Sequence, residues 1–201
     1  MNESQQQTSH PKPPRHPTIG WMEYVIGGTA VLISAISLQV AVSSNTTQER
    51  LLAASTWPYV QYGTGNRLDD GANSITLNLH NAGVGPARIR SVQVFYDGVA
   101  RAGAGALLKA CCEAQGEVRM VVTSDPQRVI TAGEEITFMR YDQATANPAL
   151  WDLLNQRRRD FRVVACYCSV LDDCWTYDSA LVEPTPIKQC PAIPEAERWR
   201  G

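Results

Sequence analysis

Residues 21–42 form an uninterrupted apolar run, WMEYVIGGTAVLISAISLQVAV, in which Glu23 is the only charged residue. As a helix these residues would measure about 33 Å at about 1.5 Å per residue, and the hydrocarbon core of a bilayer is about 30 Å thick. The length of the run and the lack of a central charge disfavour the alternative, a buried core helix. The run therefore predicts a transmembrane helix over residues 21–42.

The charges that flank this run predict its orientation. Lys12 and Arg15 precede it, and Arg50 follows it closely. Because Lys and Arg are enriched on the cytoplasmic side of a span, we expect a cytoplasmic N-terminus and an exported C-terminal domain. The excess of arginine over lysine hints at a GC-rich bacterium. The expected location is the bacterial inner membrane with the domain in the periplasm; a cytoplasmic domain with reduced, buried cysteines is the alternative.

Small residues recur along one side of the predicted span. Their spacing of three and four positions places them on one face of a helix. The five are Gly27, Ala30, Ser34, Ser37 and Ala41. Small residues let transmembrane helices approach closely, although they are also common in spans that do not associate. We expect this packing seam to support homo-oligomers.

The rest of the chain divides into four segments. Residues 1–20 are polar and rich in proline, which predicts a disordered tail. Residues 43–56 are expected to continue the helix as a juxtamembrane stalk, which Pro58 ends. Residues 57–182 are expected to form the folded domain, and residues 183–201 an irregular C-terminal tail.

Short alternating segments dominate the predicted domain. In residues 74–80, Ile75, Leu77 and Leu79 alternate with polar residues, as in a half-buried strand. The predicted strands cover residues 57–62, 74–80, 87–96, 118–123, 128–131, 135–141, 161–170 and 174–180. The alternation breaks near Arg90, which predicts a β-bulge. The spacing of these strands indicates a mainly β chain, an immunoglobulin-like β-sandwich that follows an N-terminal transmembrane helix.

Two short helices are expected as insertions between the strands. One lies within residues 102–113, which are rich in alanine and leucine. The other covers residues 148–159, where Asn147 is the predicted N-cap and Pro148 the first helical residue.

The cysteines are the strongest candidates for chemistry. All six follow the apolar run: Cys111, Cys112, Cys166, Cys168, Cys174 and Cys190. An even number in an exported domain favours disulfides. On a strand, Cys166 and Cys168 share a face, and Cys174 joins them if the intervening turn has an odd length. A thiolate metal site, a redox pair and buried free cysteines remain alternatives, although the spacing is CxC rather than CxxC.

Cys111 and Cys112 are adjacent in the chain. A disulfide between neighbours is strained, so each is expected to pair elsewhere or to stay free. A bond from one of them to Cys190 would tie the proline-rich tail to the domain. The pairing itself does not follow from the sequence.

The remaining charged and aromatic candidates favour structural roles. The acidic pairs at residues 134–135 and 172–173 fit turns, and the three arginines at 157–159 fit a solvated helix end. Most aromatic residues are expected in the core, with Trp199 in the charged tail as the exception. His80 is the only histidine of the domain.

No catalytic motif accompanies these residues. The sequence contains no phosphate-binding loop, no GxSxG and no HExxH. We therefore expect no catalytic, cofactor-binding or metal-binding residues and no enzymatic activity. The net charge of −2 gives no basic field, so no nucleic-acid partner is expected.

The segment NAGVGPARI, residues 81–89, resembles the turn of bacterial CARDB-like and related immunoglobulin-type sandwich domains. Together with ASTWPYVQYGTGN and CYCSVLDDCW, it resembles a family of uncharacterised bacterial single-pass membrane proteins. The resemblance extends over most of the chain from the span onward. It implies a membrane location and the sandwich fold, and it implies no activity.

These observations lead to one expected function and one alternative. We expect a membrane-anchored, non-enzymatic domain for protein interaction or envelope structure, whose partners are the bilayer, a second copy and an unidentified envelope protein. The alternative is an envelope thiol-redox or metal-binding protein that uses Cys166, Cys168 and Cys174.

Overall fold

The structure is a computed structural model that describes residues 20–116, 118–122 and 126–200. The chain divides into two compact units, Met1–Glu49 and Arg50–Gly201. Apart from Gly20, the tail predicted to be disordered lies outside the described residues.

The first element is a single long helix, α1 (Trp21–Ser55), of 35 residues. It joins the predicted span and the predicted stalk without a break, and all of its residues are exposed. At its end the Thr56 hydroxyl donates to the Leu52 carbonyl oxygen at 2.9 Å, and Pro58 cannot continue the helix. The prediction of a long apolar helix before a β-rich domain is confirmed.

Ten strands and two further α-helices follow in the described part of the chain. The strands are β1 (Val60–Gly65), β2 (Ser74–Asn81), β3 (Ala87–Tyr96), β4 (Val99–Arg101), β5 (Val121–Val122), β6 (Val129–Ile130), β7 (Glu135–Asp142), β8 (Arg162–Cys168), β9 (Cys174–Asp178) and β10 (Thr185–Ile187). The helices are α2 (Ala104–Cys112) and α3 (Pro148–Arg157), and a 3₁₀ turn covers Gln143–Thr145.

The strands form two antiparallel sheets. In the first sheet the order is β1-β2-β7-β5. In the second it is β10-β9-β8-β3-β4, and β6 also pairs with β3. The prediction of a mainly β domain is confirmed.

Both sheets contribute to one hydrophobic core. Ile75, Leu77 and Leu79 on β2 have no exposed surface, as their alternation predicts. The second sheet supplies Val92 on β3 and Tyr167 on β8 to the same cluster. Burial of these alternating side chains is the main term that holds the sheets together.

Two local predictions are confirmed in detail. The register between β3 and β8 shifts between Ile89 and Ser91, so Arg90 is the extra residue of a bulge. At the start of α3, the Asn147 side chain accepts a hydrogen bond from the Leu150 backbone N–H at 3.2 Å.

The segment after residue 182 differs from the expected irregular tail. Thr185–Ile187 form β10, which pairs with the otherwise open edge of β9. Trp199 is only 1% exposed, and its ring packs edge-on against Phe138 with centroids 5.6 Å apart. The prediction of an exposed Trp199 was wrong because the core offers the indole an apolar site that the surrounding charges conceal in the sequence.

Two other side chains lie in environments opposite to those expected: an arginine is buried and a tryptophan is exposed. Arg158, expected on a solvated face, is 6% exposed, and its Nη1 donates to the Thr64 carbonyl oxygen at 3.1 Å. Trp57, expected in the core, is 44% exposed. Helix α3 packs its end against β1, and that contact removes Arg158 from solvent.

Asn81 at the end of β2 is a fully buried polar residue that organises the surrounding backbone. Its Oδ1 accepts hydrogen bonds from the N–H groups of Tyr59 and Gly83, both at 3.1 Å. Its Nδ2 donates to the carbonyl oxygens of Gly85 at 2.8 Å and Ile130 at 3.0 Å. One side chain therefore joins the entry to β1, the β2–β3 turn and β6.

The glycines of the β2–β3 turn allow the chain that leaves α1 to pass close by. A Cβ on Gly85 would overlap the carbonyl of Thr56, and one on Gly83 would overlap the backbone nitrogen of Tyr59. Only glycine fits this close approach of two backbones.

We expect the substitution Asn81→Ala to lower the free energy of unfolding of the domain by about 2–3 kcal/mol, because it leaves buried N–H and carbonyl groups without partners. Urea unfolding of the full chain in detergent, followed by tryptophan fluorescence, measures the change. Asn73 is exposed, and Asn73→Ala is the matched control with an expected change below about 0.5 kcal/mol. Equal effects of the two substitutions would contradict this role of Asn81.

Candidate functional site

The β8–β9 hairpin brings three cysteines together. Cys168 lies directly opposite Cys174 across residues 169–173, a turn of odd length. Cys166 lies two residues before Cys168 on β8 and therefore shares its face. With Cys190 these residues form what we call the sulfur cluster: Cys166, Cys168, Cys174 and Cys190.

The sulfur cluster lies on the side of β8 that faces away from the hydrophobic core. Tyr167, between the two β8 cysteines, belongs to the core, where burial raises its pKa to about 12. Successive side chains of a strand point to opposite faces, so Cys166 and Cys168 point outward. They are nevertheless 3% exposed, and the segment around Cys190 is bonded to this face.

Two disulfides close the cluster. Cys168 is bonded to Cys174, with the Cα atoms 4.0 Å apart. Cys166 is bonded to Cys190, with the Cα atoms 5.8 Å apart. Cys190 thus ties the C-terminal segment to the domain as the sequence suggested, but its partner is Cys166 rather than Cys111 or Cys112.

Cys111 and Cys112 are bonded to each other at the C-terminal end of α2. The expectation that each would pair elsewhere or stay free was wrong. The physical reason is that the other four cysteines pair among themselves, so neither residue has another partner. All six cysteines of the chain are therefore in disulfides.

An open cavity of about 450 Å³ borders the sulfur cluster. Cys168, Cys174 and Cys190 line it, together with the cations Arg90 and Lys188. Asp172 also lines the cavity, but it forms an ion pair with Arg88. The bulge on β3 explains how Arg90 reaches the cavity, whereas nothing in the sequence pointed to Lys188. The cavity therefore combines sulfur with positive charge.

Three of these sulfurs lie close enough together to hold a metal ion, but they are bonded in disulfides. The Sγ atoms of Cys168, Cys174 and Cys190 lie within 4.8 Å of one another. Zinc and copper(I) bind thiolates, which the disulfides do not provide. The metal-binding alternative therefore requires that both bonds be broken first.

The five residues of the predicted packing seam all lie on α1 and are exposed. The Ser34 hydroxyl donates to the Ala30 carbonyl oxygen at 2.8 Å, so its polar group is satisfied within the helix. Apart from the neighbouring backbone of its own helix, no described atom lies within 4 Å of a Cβ placed on Gly27. The seam is thus available for contact with another helix.

In the acidic pairs at residues 134–135 and 172–173, Glu134 and Asp172 each bond to a neighbouring residue, and the two pairs do not form a common site. Glu134 accepts hydrogen bonds from the Thr131 N–H at 2.8 Å and its hydroxyl at 2.9 Å, and these bonds hold the pKa of the Glu134 carboxyl below its usual value. Asp172 has its cationic partner in Arg88. Asp172 and Asp173 lie in the β8–β9 turn as predicted, whereas Glu134 directly precedes β7 and Glu135 is the first residue of that strand.

We expect non-reducing peptide mapping to find Cys168 linked to Cys174, Cys166 linked to Cys190, and no alkylated cysteine in the air-purified protein. Trypsin with chymotrypsin resolves the links of the sulfur cluster. Tyr167 lies between Cys166 and Cys168, Leu171 lies between Cys168 and Cys174, and Lys188 precedes Cys190. The peptide that carries Cys111 and Cys112 should lack two hydrogens. A link from Cys190 to either of those residues would contradict the structure.

Comparison of the chain with protein-family models, curated proteins and solved structures gives no match. The resemblance of residues 81–89 to CARDB-like domains therefore stays a prediction, and the function has to be argued from the geometry of this chain.

Proposed function

We propose that this protein is a single-pass membrane protein whose exported β domain binds another protein of the cell envelope, without enzymatic activity of its own. The observation that carries the proposal is the exposure of α1. Many of its large apolar side chains, among them Val31, Leu32 and Ile36, are more than 60% exposed. An apolar surface of this extent requires a cover, and lipid provides one that fits its length.

The dimensions of α1 support this assignment. Its 35 residues span about 52 Å at about 1.5 Å per residue, and its most apolar window has a mean hydropathy of 2.0 with none of it buried. A buried core helix would pack this surface inside the domain. Because a bilayer core needs about 30 Å, about 20 Å of helix remains for the segment from Ser43 to Ser55 that follows the apolar run.

The disulfides support an exported domain. Three bonds among six cysteines form and persist in an oxidising compartment such as the bacterial periplasm. The Lys12 and Arg15 charges ahead of α1 favour a cytoplasmic N-terminus. These two arguments are independent and agree on the same orientation.

The strand order supports an immunoglobulin-like sandwich. The order β1-β2-β7-β5 corresponds to A-B-E-D of that fold, and β9-β8-β3-β4 corresponds to G-F-C-C′. The extra strands β6 and β10 pair with β3 and β9. Such domains serve many functions, so the order supports the fold and not a particular partner.

An exposed aromatic surface supports a role in protein interaction. Trp57 and Tyr59 pack edge to face with centroids 5.3 Å apart. They line a cavity of about 230 Å³ with Trp175 and Pro184. Val182, two residues before Pro184 in the chain, is 91% exposed. Aromatic residues of this kind dominate the binding energy of protein interfaces.

We expect labelling of the protein in intact bacteria to follow this orientation. A membrane-impermeant maleimide should label the native cysteines only after reduction, because they are exported and bonded. A cysteine introduced as Ser4→Cys should stay unlabelled until the cells are lysed. Labelling of Ser4→Cys in intact cells, or protection of the reduced native cysteines, would contradict the proposal.

We expect α1 to associate with a second copy through its small-residue face. Replacement of Gly27 and Ser34 by leucine should reduce chemical crosslinking of the full chain in membranes, because bulk on this face separates the helices. The matched control replaces Gly28 and Ala35 by leucine on the other side of the helix. Unchanged crosslinking in the first variant, or equal loss in both, would exclude this seam.

A further inference from the structure

The two disulfides of the sulfur cluster are in direct contact. The Cys168 Sγ lies 3.9 Å from the Cys190 Sγ, although the two atoms belong to different bonds. Cys174 Sγ lies within 4.8 Å of both. The contact joins the bond that closes the β8–β9 hairpin to the bond that holds the C-terminal segment.

This contact places a sulfur of one disulfide where it can react with the other disulfide by thiol–disulfide exchange. Disulfides exchange when a thiolate attacks a disulfide sulfur, and the rate depends on access to that sulfur. A thiolate at Cys168 is already next to Cys190 and needs no unfolding to reach it. We propose that the sulfur cluster is a thiol–disulfide exchange site in which attack by an external anionic thiol at Cys174 moves the tether of the C-terminal segment from Cys166 to Cys168.

The reaction has two steps, and both conserve the number of disulfide bonds. In the first, the external thiolate forms a bond with Cys174 Sγ, the Cys168–Cys174 bond breaks, and its electron pair stays on Cys168. In the second, Cys168 Sγ forms a bond with Cys190 Sγ, the Cys166–Cys190 bond breaks, and its electron pair stays on Cys166, which takes a proton from water. No oxidant is required, and the only co-reactant is the external thiol.

Exposure favours Cys174 as the sulfur that is attacked within its bond. Cys174 is 8% exposed and Cys168 is 3% exposed, and both line the open cavity. Cys190 also lines the cavity and is more exposed than either, so attack at Cys190 is the competing reaction that the second test distinguishes. Attack at Cys174 releases Cys168, which is the sulfur in contact with Cys190. Attack at the more exposed cysteine of the hairpin bond therefore releases the sulfur that touches the other bond.

The charge of the cavity favours an anionic thiol. Arg90 and Lys188 line the cavity and form no ion pair in the described part of the chain, whereas Asp172 is engaged by Arg88. The bulge that places Arg90 here is a feature of the fold, because it shifts the register of β3 against β8. Each cation should favour an anionic thiol over a cationic one by about threefold at low ionic strength.

The first test uses the full chain in detergent with the substitution Cys174→Ser, which leaves Cys168 as a thiol. After incubation at pH 8 and alkylation, peptide mapping should find a Cys168–Cys190 link with free Cys166 in a substantial fraction of molecules. A thiol that stays on Cys168, with Cys166–Cys190 intact in all molecules, overturns the proposal. The proposal is also overturned if the Cys168–Cys190 link appears only in samples in which cysteines are also linked to Cys111 or Cys112, because such links mark unfolding.

The second test uses the unaltered chain and so does not depend on how that variant folds. Treatment with 2-mercaptoethanesulfonate should give its adduct on Cys174, a Cys168–Cys190 link and alkylated Cys166. An adduct on Cys190 with Cys168–Cys174 intact overturns the proposal.

The preference for an anionic thiol is tested by comparing the rates of the exchange reaction with two external thiols at equal thiolate concentration and low salt. The reaction with 2-mercaptoethanesulfonate should be about tenfold faster than with cysteamine, which follows from about threefold for each of two cations. The double substitution Arg90→Gln and Lys188→Gln should remove the difference. A preference that survives this change excludes these cations as its source. Because the test concerns only the cluster, its outcome is independent of the proposed membrane anchoring.

Discussion

The hydrogen bonds of the buried Asn81 side chain are the constraint on which the entry of the chain into β1 depends. They connect the chain that leaves α1 with the β2–β3 turn and with β6. Inside an apolar core each such bond is strong, and each unmet group is costly. The glycines beside it allow two backbones to meet, so the turn has a defined position relative to Thr56.

The C-terminal segment is fixed to the domain by a different principle. It is held covalently where Cys190 bonds to Cys166, and by burial where Trp199 enters the core. Before Cys190, β10 extends the second sheet. A change at the sulfur cluster would therefore alter how the segment is tied while Trp199 still anchors it, which makes exchange compatible with a folded domain.

The elements that were predictable are those whose signal is local. The apolar run predicts the first 22 residues of α1, because one stretch of residues settles both the length of the run and its lack of a central charge. The alternation of β2, the bulge at Arg90 and the capping of α3 by Asn147 all depend on neighbours within a few positions. The β1 strand begins at Val60 rather than at Trp57, since strand ends depend on the partner strand.

The sequence by itself determined the helix, the mainly β domain and the face shared by Cys166 and Cys168, because periodicity and length are properties of a single segment. Only the tertiary structure decided which cysteines pair, that Asn81 and Arg158 are buried, and that Trp199 completes the core. Each of these depends on contacts between residues far apart in the chain, and a one-dimensional pattern carries no distance between them. The cavity that places Arg90 and Lys188 beside the sulfur cluster arises in the same way, from the meeting of β3 with the segment after β10.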